Sequence, residues 1–423
     1  MEAMPDMAGT DPAPPPTGPV RSDQPGPAGA VLRRRTLLGL LGAGAAGAAV
    51  GGAAVAVATD AAGPGGDATA GASVVPFYGP HQAGLATPAQ SNAVFLGLDL
   101  QAAADEAQVR GLLQRWTPLA AGLTGGRPHP ADPLPLLTAA PSRLTVTVGF
   151  GPGFFDRVGR PQDRPAGVAV LPPFQGDELQ PELSEGDLLL QICGDDAVAV
   201  AHAADVLAAA ALPQAQVRWR QAGFLNAAAV AAGQTPRNLM GNKDGTANDE
   251  PGSERFERTV WADGPEYPAW FADGTTLVLR RIRMDLPSWV QAGERTQERV
   301  VGRRMDSGAP LGAADEFDPV PLTAQGPDGR LVVPSSAHVR IAHPDTNRGA
   351  RMFRRGYNYV DGGERGLLFV ALQADATRGF LPVMARMAVG DDLNRFVQHV
   401  GSAVFAVPPG VPEGGFWGQQ LLG

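Results

Sequence analysis

Apolar positions mark out two similar successions of elements after residue 92. In the first, AVFLGLDL (93–100) and LTVTVGF (144–150), where Leu144, Val146, Val148 and Phe150 alternate, predict strands. DLLLQICGDD (187–196) and VRWRQAGF (217–224) predict two more. Helices are expected over residues 103 to 121 and over AVAVAHAADVLAAAAL (197–212), with Asp195 or Asp196 placed to cap the second. That order is the order of a ferredoxin-like unit. The second succession reads TTLVLRRIRMDL (275–286) as a strand, SWVQAGERTQERVVGR (288–303) as a helix and GLLFVALQAD (366–375) as a strand. A helical region, FLPVMARMAVGDDLNRFVQHV (380–400), then precedes SAVFAVPPG (402–410). The repeated apolar strand, acidic junction and helix suggest an internal duplication. Two α+β halves packed sheet to sheet are expected to enclose an apolar cavity.

Upstream of this pattern the chain changes character. Residues 1–30 are rich in Pro, Gly and Ala, a composition expected to be disordered. RRRTLLGLLGAGAAGAAVGGAAVAVA (33–58) sets a basic cluster before a mildly apolar stretch that ends in small residues at Ala56 and Ala58. Arg34, Arg35, Thr36, Leu37 and Leu38 fit a twin-arginine export signal. The division expected is residues 1–58 as disordered N-terminus and signal peptide, 59–75 as linker, 76–228 as one ferredoxin-like domain and 229–423 as a second. Export through the twin-arginine machinery would leave the protein periplasmic or extracellular, or membrane-anchored if the signal is not cleaved, since the apolar stretch is long enough to span.

Composition narrows the function. A net charge of −9 argues against a nucleic-acid partner. One cysteine, Cys193, rules out an intrachain disulfide, which fits a protein that folds before export. A single lysine, Lys243, stands among 34 basic residues, in the loop GNKDGTAN (241–248). Glycines at 241 and 245 permit positive φ and a close approach of backbone to a flat or bulky partner, with Asp244 between them; an ordinary turn has the same composition. Of six histidines, His202 and His399 read as packing or surface residues, and His81 and His129 fall in loops. In HVRIAHP, Val339 and Ile341 alternate with His338, Arg340 and Ala342, which would put the His338 ring on one face with Arg340 and His343 on the other. A zinc site from His338, His343 and Asp345 matches no standard ligand spacing. Arg354 lies in GARMFRRGYNY among apolar and aromatic residues.

Asp244 on a glycine loop, His338 and Arg354 together carry a family resemblance. The chain resembles an exported dye-decolorizing peroxidase, of the subgroup that includes the deferrochelatase/peroxidases of bacterial iron uptake, from about Pro76 to Pro412. Gly241, Asn242, Lys243, Asp244 and Gly245 match the family's Gly-x-x-Asp-Gly motif. His338 matches the proximal haem ligand and Arg354 the distal arginine. DDLNRFVQHVGSAVFAVPPG resembles the closing segment whose acid partners that histidine, Asp391 fitting best and Asp392 adjacent. Arg355 and Gly356 stand where some subgroups carry an Asn two places after the arginine, which bears on the subgroup.

The resemblance implies a dimeric α+β barrel-type fold of two ferredoxin-like domains, with one haem b per chain between sheet and helices. Gly245, Thr246, Ala247 and His343 would border the haem. It implies peroxidase activity on organic donors, small or bulky, with hydrogen peroxide; iron release from haem is an alternative on the same site, and a haem carrier without turnover a third reading. Asp244 would move the peroxide proton, Arg354 would stabilise developing charge and His338 would bind iron, oriented by Asp391. Best activity is expected at acidic pH. Bulky donors would pass electrons through surface aromatics, with Trp289, Tyr357, Tyr359 and Trp417 as candidates, each of which on its own reads as a structural residue. A monomer and a homo-oligomer are equally compatible with the sequence.

Overall fold

A computed structural model describes residues 73–423, so the signal peptide and all but the end of the linker lie outside the described residues. Eight strands close into a barrel in the order β1-β3-β2-β8-β5-β7-β6-β4. These are β1 (Asn92–Leu100), β2 (Thr145–Phe150), β3 (Leu188–Gly194), β4 (Ala215–Phe224), β5 (Thr275–Met284), β6 (Phe353–Asp361), β7 (Glu364–Gln373) and β8 (Val397–Val407). The helices are α1 (Glu106–Thr124), α2 (Pro152–Arg157), α3 (Ala197–Ala210), α4 (Ala227–Ala231), α5 (Glu254–Val260), α6 (Leu286–Ala292), α7 (Glu294–Val301), α8 (His338–Ile341), α9 (Phe380–Gly390) and α10 (Gln419–Leu422).

Cut at its seams, the barrel falls into two sheets with the same internal order. The first runs β4-β1-β3-β2 and the second β8-β5-β7-β6, each the order of a ferredoxin-like βαββαβ unit. The seams are thin, a single pair each: Phe150 with Ala406 and Phe224 with Asn358. The duplication legible in the sequence is therefore a duplication of topology.

Side-chain parity decides what each face meets. On β1, Val94, Leu96 and Leu98 join the core formed with α1 and α3, while Ala93 and Phe95 point into the barrel. On the second sheet, Leu277, Leu279, Leu368 and Val370 fill the barrel, while Val278, Ala371 and Val404 pack against Phe380 and Met384 of α9. Strands buried on both faces read as continuous apolar runs. The expected apolar cavity between the sheets is filled by side chains, among them Phe95, Trp219, Tyr357 and Phe405. The open cavity lies outside the barrel, between the second sheet and its helices.

Caps explain several boundaries. Asp105 and Gln108 form a reciprocal capping box on α1. Of the two acids before α3, Asp196 caps, accepting from Val198 N at 2.7 Å, while Asp195 faces Arg143 at 2.8 Å. The helix expected over 288–303 is broken at Gly293, whose φ of 73° joins α6 to α7. The helical region expected to reach Val400 ends at Gly390, because from Val397 the chain pairs with β5, opposite Met284.

Candidate active site

The loop before α5, helix α8, strand β6 and the end of α9 converge on one cavity. Asp244, Gly245, Thr246, Ala247, His338, His343, Arg354 and Asp391 all line it.

His338 is the first residue of α8, not part of a strand. Residues two apart on a helix point about 200° from one another, so Arg340 turns away from the His338 ring. Its guanidinium instead holds the carbonyls of Leu322 and Val333, at 2.7 and 2.8 Å. His338 Nδ1 lies 2.7 Å from Asp391 Oδ2, and the other carboxylate oxygen accepts from Leu393 N at 2.8 Å. Asp392 is not this partner: its Oδ2 accepts from Ser336 Oγ at 2.7 Å. An ionised carboxylate can only accept, so Nδ1 carries the proton and Nε2 presents its lone pair. Nε2 hydrogen-bonds to no described residue, and the quarter of the side chain that stays accessible faces the cavity. Burial disfavours a charged ring here, but the Asp391 carboxylate outweighs it and holds the His338 pKa above its ordinary value.

The loop carrying Asp244 needs its two glycines, Gly241 at φ 86° and Gly245 at φ 109°. Lys243 Nζ pairs with Glu316, and Thr246 Oγ1 donates to the other oxygen of the same carboxylate at 2.9 Å. Asp244 is thus held from both sides through one acid. Burial of Glu316 is outweighed by hydrogen bonds from Lys243, Thr235 and Thr246, which lower its pKa. Asn248 grips the Arg354 backbone at two points, accepting from its N at 3.0 Å and donating to its carbonyl at 2.7 Å. Gly356, two residues on, leaves room for the acid, since a Cβ there would lie 3.3 Å from Asp244 Oδ2. Neither the Asp244 carboxylate nor the Arg354 guanidinium hydrogen-bonds to a described residue; both face the cavity.

Ile282, Met284, Leu367, Phe369, Val383 and Met384 supply apolar wall between these polar groups. One uncommitted imidazole nitrogen, an apolar slot and an unpartnered acid and guanidinium suit a flat, largely apolar metal macrocycle such as haem. Zinc is a poorer fit: among the described residues no three His, Cys, Asp or Glu side chains are placed to hold a metal ion. His343 borders the cavity with Nδ1 accepting from Asp345 N at 3.2 Å.

Several residues escaped the sequence reading. His399 is not helical or superficial; it lies on β8, lines the cavity and accepts from Arg280 Nε at 3.2 Å. Burial, with Arg280 alongside, pushes its pKa down to about 3, so it stays neutral. Glu316, 70 residues from Thr246, gave no local signal. Asn248 lies inside the GNKDGTAN loop, but nothing near it in the sequence marks β6 as its partner. Trp289, Tyr357, Tyr359 and Trp417, candidates for surface electron transfer, are all buried, each on the core face of its element or tail, in line with their reading as structural residues.

Comparison with known proteins matches residues 82–225 to the N-terminal domain of Dyp-type peroxidases and residues 235–412 to the C-terminal domain. A dye-decolorizing peroxidase of Thermobifida fusca is 42% identical over 362 residues, covering 81% of this chain and 83% of that one. A deferrochelatase of Escherichia coli is 36% identical over 372 residues, covering 82% and 87%. Ferric DtpA from Streptomyces lividans superposes with a TM-score of 0.80 at 42% identity, covering 84% of this chain and 98% of that chain.

Proposed function

This chain belongs to the Dyp-type peroxidase family, and from that premise we propose how its residues divide the work. The enzyme is a haem peroxidase that oxidises organic donors with hydrogen peroxide. When bound, haem would supply the redox chemistry that couples reduction of peroxide to oxidation of the donor.

His338 would hold the iron through Nε2. Its Nδ1–H, donated to Asp391, fixes the ring's orientation and increases the basicity of Nε2. Asp244 would take a proton from hydrogen peroxide and return it to the departing oxygen, while Arg354 balances the negative charge that develops as the O–O bond breaks. The apolar wall keeps bulk water from competing for those two charges. Haem b, one per chain, is the form proposed. A haem tethered through thiols would need cysteines at the cavity, and the sole cysteine, Cys193, is buried in the barrel. The Arg34–Arg35 leader supports export by the twin-arginine route.

One observation carries the assignment of roles. A histidine with one nitrogen tied to a buried carboxylate and the other open shares a cavity with an acid and an arginine whose side chains hydrogen-bond to no described residue. The test is the absorption spectrum of the haem-loaded protein before and after one equivalent of hydrogen peroxide, for wild type and His338→Ala. A Soret band lost or displaced in the variant, and shifted by peroxide in wild type, is expected; an unchanged spectrum in His338→Ala refutes the ligand. A second reading, iron release from haem, rests on the 36% identical deferrochelatase. Iron-free porphyrin accumulating during incubation with haem would support it. A carrier without turnover has no use for both Asp244 and Arg354.

A further inference from the structure

Inside the barrel, on the far side of the second sheet from the haem cavity, lies a group of polar atoms that the peroxidase chemistry leaves unused. Tyr357 points inward from β6 and Cys193 from β3, both essentially inaccessible to solvent. Tyr357 Oη and two nitrogens of Arg355, Nε and Nη1, are buried without a hydrogen-bond partner among the described residues. The third nitrogen, Nη2, donates to the Thr87 carbonyl at one end of the barrel. A buried tyrosine hydroxyl ordinarily finds a partner, so an unpaired one calls for an explanation.

The strand order sets β4 and β1 between β6 and β3. Ala93 of β1 pairs with Cys193 on one side and with Gly223 of β4 on the other. At this level the two intervening strands therefore present only a methyl and a hydrogen, and the Tyr357 side chain lies across the gap. A Cβ on Gly223 would sit 2.7 Å from Tyr357 Cβ, and the ring meets Phe95 of β1 edge-on with centroids 6.0 Å apart. The phenol hydroxyl thus comes beside the Cys193 thiol, with the Arg355 guanidinium close to both. Burial keeps both groups protonated, pushing the thiol up to about 11 and the phenol well above its ordinary value. A buried neutral thiol is a poor nucleophile, which protects Cys193 from direct attack by peroxide. One sheet separates the pair from the peroxide site: Gly356, next to Tyr357 in β6, is the residue whose missing side chain makes room for Asp244.

We propose that Tyr357 and Cys193 form a modification site, where peroxide turnover joins the cysteine sulfur to the ring carbon next to the phenol oxygen as a thioether. The proposal rests on the peroxidase reading of the cavity. Tyr357 gives up one electron and its hydroxyl proton, and Cys193 one electron and its thiol proton. The C–S bond forms between the two resulting radicals. The hydrogen on that ring carbon then moves to the phenol oxygen and restores the aromatic ring. Both electrons cross the sheet to the cavity, and the two protons leave to solvent past half-buried Arg355. One hydrogen peroxide takes up two electrons and two protons and becomes two waters, so the protein loses two hydrogen atoms in all. The link ties β3 of the first sheet to β6 of the second, across a barrel whose seams are single residue pairs.

Because the chain has a single cysteine, its thiol can be followed without background. Haem-loaded wild type and Tyr357→Phe are treated with hydrogen peroxide in the absence of a donor, denatured, reacted with a maleimide and analysed by mass spectrometry. Wild type is expected to lose its maleimide labelling and the mass of two hydrogens, and to yield a digest product joining positions 193 and 357. Tyr357→Phe, which removes only an unpartnered hydroxyl, is expected to keep a free thiol. Three results overturn the proposal: a thiol still labelled in wild type, a thiol lost by gain of oxygen, or equal loss in Tyr357→Phe. The Soret response to peroxide, read on the same samples before denaturation, separates the two levels. A normal response with the thiol intact overturns the link alone, and no response overturns the peroxidase reading and the link with it.

Discussion

At the scale of single residues, the adjacent acids Asp391 and Asp392 show how a one-residue difference in position becomes a difference in role. Both were open from the sequence, because neighbouring carboxylates share composition and differ only in direction. In the fold, one meets the His338 imidazole and the other a serine hydroxyl. Asp391→Asn is expected to lower the rate of reaction with peroxide by about 10- to 100-fold, the usual effect of removing a carboxylate behind a metal-bound histidine. Asp392→Asn is expected to stay near wild type in the same stopped-flow measurement; equal losses in both would refute the distinction. For the acid and arginine facing the cavity, Asp244→Asn and Arg354→Leu should each cost about 10²–10³-fold in kcat. A kcat near wild type in either variant would refute that residue's role.

At the scale of elements, the strands with apolar runs were readable and β6 was not. Its Arg354, Arg355, Gly356 and Asn358 interrupt the apolar alternation because one face serves the cavity and the other the barrel interior. Beyond α9 the apolar spacing reads as helix, yet the chain enters β8, because its pairing partner, β5, lies more than a hundred residues earlier. The Asp244 loop depends on a carboxylate that no local pattern reveals. Glu316→Gln should loosen the Lys243 and Thr246 contacts, lowering kcat while the Soret band of the resting enzyme stays in place; coincident loss of haem would indicate general unfolding instead. Gly245→Val, at φ 109°, should destabilise the protein by about 1–3 kcal/mol through backbone strain, read as a lower urea midpoint. A midpoint equal to wild type would remove the conformational argument for that glycine.

At the scale of the whole molecule, two sheets joined by single-pair seams rely on loops that cross between them. Glu185 is one such tie: its N–H donates to Ser402 O at 2.9 Å, and its carbonyl accepts from Trp219 Nε1 at 2.6 Å, linking β8 to β4. Burial, opposed weakly by Arg218, raises its carboxyl pKa to about 7. A carboxyl that keeps its proton longer in the folded than in the unfolded chain adds stability below its unfolded value of 4.5. That contribution is lost as pH rises to about 7. Discounted for partial exposure, the effect is roughly 2 kcal/mol. Wild type should therefore lose stability relative to Glu185→Gln between about pH 4.5 and 7 in urea titrations; parallel curves would refute the assignment.

The sequence alone determined the first βαββαβ half, a second succession that repeats its strand, acidic junction and helix, the glycine loop and the three residues on which the peroxidase reading turned. Strand periodicity, turn chemistry and short motifs are written in neighbouring positions, where side-chain direction follows from backbone geometry. Only the tertiary structure decided which face of the second sheet holds the cavity, which of two adjacent acids meets His338, that Glu316 and Asn248 steady Asp244 and Arg354, and that four aromatics are interior. Each of those outcomes depends on contacts between residues far apart in the chain, which meet only when the loops and helices pack against the two sheets.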